Sequence, residues 1–296
     1  MPIVISRRCL LVTALALTGF VHGATHGEPG RPLVVCADPA NLPFSNDKGD
    51  GFENRIADVV ARDLGVTVRY RWGPSWRGAF LRALRKGECD VVMGATAGLA
   101  GVAVTRPLFT STYVFVSRRE QHLHLGDFDD PVLRSLRIGL HTVAAGGSNS
   151  PAASALTQRG LAGNVVGFPM WGSDSDTQGR IVDAVASGEI DAAIVWGPIA
   201  GYYAKRYADQ LDVSPASDRS GRTATPFVYE ISLGVREGDD GLRKALDGAI
   251  ERHRAEIQQI LGGYGTPPAQ PMSVDASSSS DGDAARADSN IATQEH

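Results

Sequence analysis

Phe80-Leu81-Arg82-Ala83-Leu84-Arg85-Lys86-Gly87-Glu88-Cys89-Asp90-Val91-Val92-Met93-Gly94 is the stretch whose reading decides the fold. Trp76, Phe80 and Leu84 stand four apart, which lines them along one face of a helix, and Gly87 closes that helix. The run from Cys89 to Gly94 then predicts a buried strand. Toward the N-terminus, residues 31 to 38 form another apolar run that stops at Asp38-Pro39 and predict a strand followed by a loop. Ile56, Val59, Val60 and Leu64 fall at helical spacing before Gly65, and residues 67 to 71 predict a further strand. Strand, helix, strand, helix, strand is the order of a parallel α/β sheet.

The same order starts again beyond a polar stretch that follows Tyr113-Val114-Phe115-Val116. Residues 137 to 141 predict a strand, a small-residue loop spans 144 to 150, and Pro151 is placed as a first-turn helix residue. Strands at 164 to 168 and 190 to 196 flank a helix at 181 to 187. Two similar units in tandem predict two lobes, each a mostly parallel sheet flanked by helices. Residues 227 to 235 predict a last strand and 242 to 261 one amphipathic helix. Residues 267 to 296, with Pro267, Pro268, Pro271 and four consecutive serines but almost no apolar side chains, predict a disordered acidic tail.

With 43% hydrophobic and 21% charged residues in 296, the chain can bury one large core or two linked ones. The formal charge is -4, and no basic patch offers itself to nucleic acid. Residues 269 to 296 hold five acids against one arginine, so the acidity is mostly a property of the tail. Ser6-Arg7-Arg8-Cys9-Leu10-Leu11, an apolar run to Phe20 and small residues around Gly23 and Ala24 predict a cleaved export signal over residues 1 to 24, of the Sec or the twin-arginine kind. The apolar run is too short to span a bilayer, so the processed chain is expected in the periplasm with no membrane insertion.

In that compartment Cys36 and Cys89 are either a disulfide or two small buried hydrophobes. No pair of cysteines or histidines has zinc-ligand spacing; His122 and His124 lie in a charged connector and read as solvated, so no metal is expected. Gly146-Gly147 is followed by neither a Walker lysine nor a dinucleotide fingerprint, and there is no G-x-S-x-G elbow. The expected role is therefore not enzymatic. Ligands of open parallel sheets sit outside the carboxyl ends of the strands. Here those positions hold Asn41 and Phe44, Thr96, His141, Ser148 and Asn149, and Trp196. The 146 to 149 loop runs into a helix N-terminus, where free N–H groups attract anions or carbonyls. Asp38 and Glu53 are the acids nearest the expected mouth; a turn and a helix first turn account for them equally well.

Gly51-Phe52-Glu53, Leu84-Arg85-Lys86-Gly87-Glu88-Cys89-Asp90-Val91 and Thr105-Arg106-Pro107-Leu108-Phe109 resemble motifs of the amino-acid-type periplasmic solute-binding proteins over residues 31 to about 265. The resemblance implies a type II-like, two-lobed binding-protein fold. Residues 31 to 117 plus 228 to 265 would form one lobe and 120 to 221 the other. The hinge segments would lie near 117 to 120 and 222 to 230, with a cleft that closes between the lobes. Those proteins carry an arginine for the substrate carboxylate where this chain has Thr96-Ala97-Gly98-Leu99-Ala100-Gly101, and an acid for the ammonium where it has Trp196. The clamp for a zwitterion is missing, unless Arg106 or Arg77 supplies the charge from elsewhere.

Four longer strings resemble a narrower group, the substrate-binding proteins associated with quinoprotein methanol dehydrogenases. They are Cys36-Ala37-Asp38-Pro39-Ala40-Asn41-Leu42-Pro43-Phe44-Ser45-Asn46, Gly51-Phe52-Glu53-Asn54, Cys89-Asp90-Val91-Val92-Met93-Gly94 and Val195-Trp196-Gly197-Pro198-Ile199-Ala200-Gly201-Tyr202-Tyr203. That resemblance implies a monomeric accessory of a quinoprotein alcohol dehydrogenase, acting by contact or by delivering a small-molecule ligand, with no cofactor on this chain. Trp196 and Tyr202 would serve as aromatic anchors. The alternatives are a receptor for an ABC importer of a small polar solute, and a binding-protein-like dehydratase, which would need an acid and a base in the cleft.

Overall fold

The computed structural model describes residues 30–74, 78–142, 150–172, 174, 176–223 and 226–265. The expected signal at 1 to 24 and tail at 267 to 296 lie outside them. The first sheet is built from β1 (Leu33–Ala37), flanked by a two-stranded hairpin of β2 (Ala40–Asn41) and β3 (Ser45–Asn46), then α1 (Phe52–Asp63), β4 (Val68–Trp72), α2 (Ala79–Arg85) and β5 (Val91–Ala95). β4 and β5 lie parallel to β1 on either side of it. α1 begins after Gly51, where the Asn54 side chain accepts from the Gly51 amide at 3.1 Å, capping the helix, and from the Asn46 amide at 3.0 Å, tying the helix start to β3. Its Phe52, Ile56, Val59 and Val60 face is buried against Val35, Val91 and Leu233. Gly65, at φ 68°, turns the chain out of the helix.

β6 (Val102–Val104) leads into β7 (Phe109–Arg118), which enters the second sheet. There follow β8 (Ile138–Thr142), α3 (Pro151–Gln158), β9 (Val165–Pro169), α4 (Arg180–Ala186), β10 (Ala192–Trp196), α5 (Gly197–Ala204) and β11 (Leu211–Pro215). β8 pairs parallel with β9 and β10, while β7 runs antiparallel to both β10 and β11. β12 (Val228–Arg236) then returns to the first sheet, antiparallel to β5 and β6, and α6 (Asp240–Arg252) and α7 (Arg254–Gly263) cover it together with α1. The single long helix expected over 242 to 261 is two helices. They part at His253, whose ring is held by the Asp63 and Glu256 carboxylates at 3.0 and 3.2 Å.

Two lobes result, with two cores each on lobe-specific strands. The hinge is the antiparallel pairing of residues 109–112 with 228–231. The first crossing therefore lies some eight residues before the 117 to 120 expected. β7 does not stop at the crossing: the strand that pairs with β12 continues as a strand of the second sheet, and residues 113–117 pair with β10. The sulfurs of Cys36 and Cys89 are bonded, with a Cα–Cα separation of 5.6 Å, which ties β1 to the entry of β5.

Candidate functional site

The carboxyl ends of β1, β5, β8 and β10 point toward the space between the lobes, and the residues expected there differ in what they do. Glu53 stands in the first turn of α1 and its carboxylate reaches the end of β5, where a Cβ added to Gly94 would lie 3.1 Å from Glu53 Oε1. Among the described residues no donor or cation meets that carboxylate, and burial pushes it up to about 8, so it is protonated at neutral pH. His141, at the end of β8, donates from Nε2 to the Gln178 carbonyl oxygen at 3.1 Å. Burial drives its pKa down to about 4, so it too carries no charge at neutral pH. Thr96 follows β5 and is half-buried.

Asn41 is taken up by the other lobe: Gln178 Nε2 donates to Asn41 Oδ1. Phe44 packs against the cores of both lobes and tilts onto Phe52 at 5.3 Å. Gly51 is needed there, because a Cβ would fall 2.0 Å from the Phe44 carbonyl oxygen. Trp196 closes the hinge side with its ring edge-on to Tyr113 at 5.3 Å and Tyr229 at 5.8 Å. Tyr202 stacks on Tyr264 at 5.8 Å with 18° between the rings. Both aromatics expected as exposed anchors are thus already in contact with other rings. Arg106 is not at the strand ends. Its amide donates to Asp247 at 2.6 Å and its guanidinium to Glu251, both on α6. Arg77, Ser148 and Asn149 lie outside the described residues.

Sequence reasoning missed Gln178 and Tyr264, and the bond that Tyr203 makes to Leu42. Tyr203 is fully buried and donates its hydroxyl to the Leu42 carbonyl at 3.1 Å. Gln178 precedes α4 in a Thr-Gln-Gly turn, with no local feature that marks it. Among the described residues, then, the strand ends present the neutral Glu53 and His141, a buried Asp38 whose side chain accepts from the Ala40 amide at 3.0 Å, amides and aromatic rings, and no arginine paired with an acid to clamp a zwitterion. No group of three or more metal-ligating side chains occurs among them either.

Known proteins resemble the chain in sequence and in fold. Protein MoxJ of Methylorubrum extorquens is 29% identical over 248 residues, covering 79% of this chain and 81% of that protein. The crystal structure of periplasmic binding protein XoxJ from Methylobacterium extorquens AM1 is 31% identical with a TM-score of 0.64, covering 80% of this chain and 99% of the other. That of MxaJ from Methlophaga aminisulfidivorans is 25% identical with a TM-score of 0.69, covering 79% and 99%. The family model of the bacterial extracellular solute-binding proteins, family 3, matches residues 33–266, and the chain belongs to that family.

Proposed function

We propose that this chain is a periplasmic, non-catalytic accessory of a quinoprotein methanol or alcohol dehydrogenase, acting on it by contact or by delivery of a small uncharged ligand. The observation that carries the reading is the likeness to MoxJ, XoxJ and MxaJ along nearly the whole folded part of the chain. The four strings that resemble the dehydrogenase-associated group fall at the end of β1 with its hairpin, the start of α1, β5, and the end of β10 with most of α5. The neutral state of Glu53 and His141 supports the choice of an uncharged ligand over an amino acid. A receptor for an importer is the second reading, favoured by the retained two-lobed scaffold, and a permease would take the place of the dehydrogenase in it.

With Trp196 and Tyr202 half-buried against other rings, the large aromatic left exposed among the described residues is Trp72, 36% exposed on the edge strand β4 and stacked on Tyr70 at 4.5 Å. A pull-down of the dehydrogenase and an assay of its activity with and without this chain test the role. A monomeric full-length chain should bind, a chain ending at Gly265 should bind equally, and Trp72→Ala should weaken binding by about 2 kcal/mol if this ring is a hot spot. Failure of the full-length chain either to bind the dehydrogenase or to change its activity removes the proposal. Saturable binding of a standard amino acid, measured by calorimetry, would restore the importer.

A further inference from the structure

We infer that the two lobes are held together by the chain's own side chains, so that closure of the cleft does not wait for a ligand. In a ligand-gated clamp, polar groups facing each other from the two lobes are satisfied by the ligand when closed and by water when open, and the ligand supplies the differential free energy that shifts the equilibrium. Here the facing groups satisfy each other. Gln178 of the second lobe donates to Asn41 of the first. The Tyr203 hydroxyl of α5 donates to the Leu42 carbonyl of the first lobe. The Lys205 ammonium, two residues further on, donates to the Gly263 carbonyl at the C-terminus of α7, an end where a cation is favoured.

Apolar contacts run alongside the polar ones. Phe44 from the first lobe belongs to both cores. The Tyr202 ring lies flat on Tyr264, whose other contacts, an edge to Phe52 at 5.8 Å and a hydroxyl bond to the Asp50 carbonyl, fix it to the first lobe. The backbones come close enough that a Cβ on Gly265 would lie 2.6 Å from the Gly201 carbonyl oxygen. Opening would break three hydrogen bonds, unstack the tyrosines and expose Phe44. Against this stands one cost of the closed form: Gln178 Oε1 is buried without a partner among the described residues. Several bonds and the aromatic contact outweigh a single unpaired amide oxygen.

The inference concerns this chain alone and does not depend on the dehydrogenase reading. Its test is pulsed electron paramagnetic resonance on full-length protein, unfolded and refolded to strip any co-purified small molecule. Spin labels are placed on cysteines that replace exposed Lys48 in the first lobe and Arg180 in the second. The refolded protein should give one dominant, short distance population. Combining Gln178→Ala, Tyr203→Phe and Tyr264→Ala should raise the longer-distance fraction at least tenfold. Should the triple variant lack a cooperative melt, Gln178→Ala with Tyr203→Phe, which removes only the polar bridges, takes its place and should still open several-fold. A refolded protein that is mostly open, or a folded variant whose distances match the parent's, overturns the inference.

Discussion

Replacing Arg159 by leucine is expected to cost about 3 kcal/mol of folding stability, at the low end of the range for stripping one partner from a buried ion pair. Arg159 caps α3 and its side chain is almost fully buried in the second lobe. Its guanidinium donates to Asp129 at 2.9 and 3.0 Å, to Asp218 at 2.6 Å and to the Ser220 hydroxyl at 2.8 Å, and lies over the Phe128 ring. The two carboxylates are not equivalent. Asp129 is 36% exposed and can rehydrate, while Asp218, at 5%, cannot. Asp218 keeps donors from Ser220 and from the Thr223 amide, at 2.9 and 2.7 Å, which is why the cost should stay short of the upper end of about 5 kcal/mol. Burial alone would raise the Asp218 carboxyl, but Thr223, Ser220 and Arg159 outweigh it and hold it well below the usual carboxylate range. Without the arginine, burial is less opposed and the carboxyl rises. The variant should therefore recover part of its deficit, relative to the parent, as pH falls from 7 to 4. Urea unfolding followed by circular dichroism at both pH values reads these effects, and Arg159→Leu combined with Asp218→Asn should recover about half the loss. A deficit under about 1 kcal/mol, or one that is the same at both pH values, would refute the account of a charge left stranded by the change.

Two buried groups should tie stability to pH in opposite directions, cancelling between pH 4.5 and 6.5 and leaving an alkaline limb above and a short acid limb below. Between pH 6.5 and about 4 the native His141 binds fewer protons than the unfolded chain, so acidification through that window destabilises; between 4.5 and about 8 the native Glu53 holds a proton that the unfolded chain has lost, so rising pH destabilises. His141→Gln should flatten the acid limb and Glu53→Gln the alkaline one in melts recorded over a pH series; limbs of unchanged slope contradict the assignment. Reducing the Cys36–Cys89 bond, which spans a sequence separation of 53, should cost up to about 4 kcal/mol in urea unfolding, and thiol labelling of unfolded, unreduced protein should mark neither cysteine. Gly179→Ala places a Cβ 2.3 Å from the Tyr203 ring and should cost about 1–3 kcal/mol, with partial recovery on adding Tyr203→Leu; a neutral effect would mean that the ring is free to move.

What could be read from the sequence was what local pattern encodes. The apolar runs around Val34, Val91 and Ile194 became buried strands, and Gly65 and Gly87 close the helices they were expected to close, both at positive φ. The break at His253 was hidden because apolar spacing continues across it, and the ring's partner Asp63 is 190 residues away. The hinge was misplaced for a related reason. β-branched and aromatic residues run almost unbroken through β7, and only the change of partner from β12 to β10 marks the crossing. Arg106 looked available because no acid stands near it in the sequence, but its carboxylate partners come from 141 and 145 residues further on. The Asn41 and Gln178 contact spans 137 residues between two unremarkable amides, and nothing in either neighbourhood signals the other. Tyr202 and Tyr203 are adjacent, and on a helix adjacent residues must point differently; the structure turns Tyr203 inward and Tyr202 onto a ring of the opposite lobe.

The return of β12 to the first sheet bears on how the chain acquires its shape. The second lobe is one uninterrupted stretch and has its strands in hand once Pro215 has been made. The first lobe begins 80 residues earlier in the chain, yet β5 has only β1 beside it and β6 has no neighbour until β12 arrives, and Phe52, Ile56 and Val59 lack their cover until α6 and α7 follow. Elements generally fold as the chain supplies them. The lobe that starts first is thus the one that finishes last, and during synthesis α1 and β5 wait with apolar faces uncovered. Loss of residues beyond 227 would leave the second lobe's sheet intact and the first without its closing strand, so a premature stop there yields a half-formed molecule rather than a shortened one.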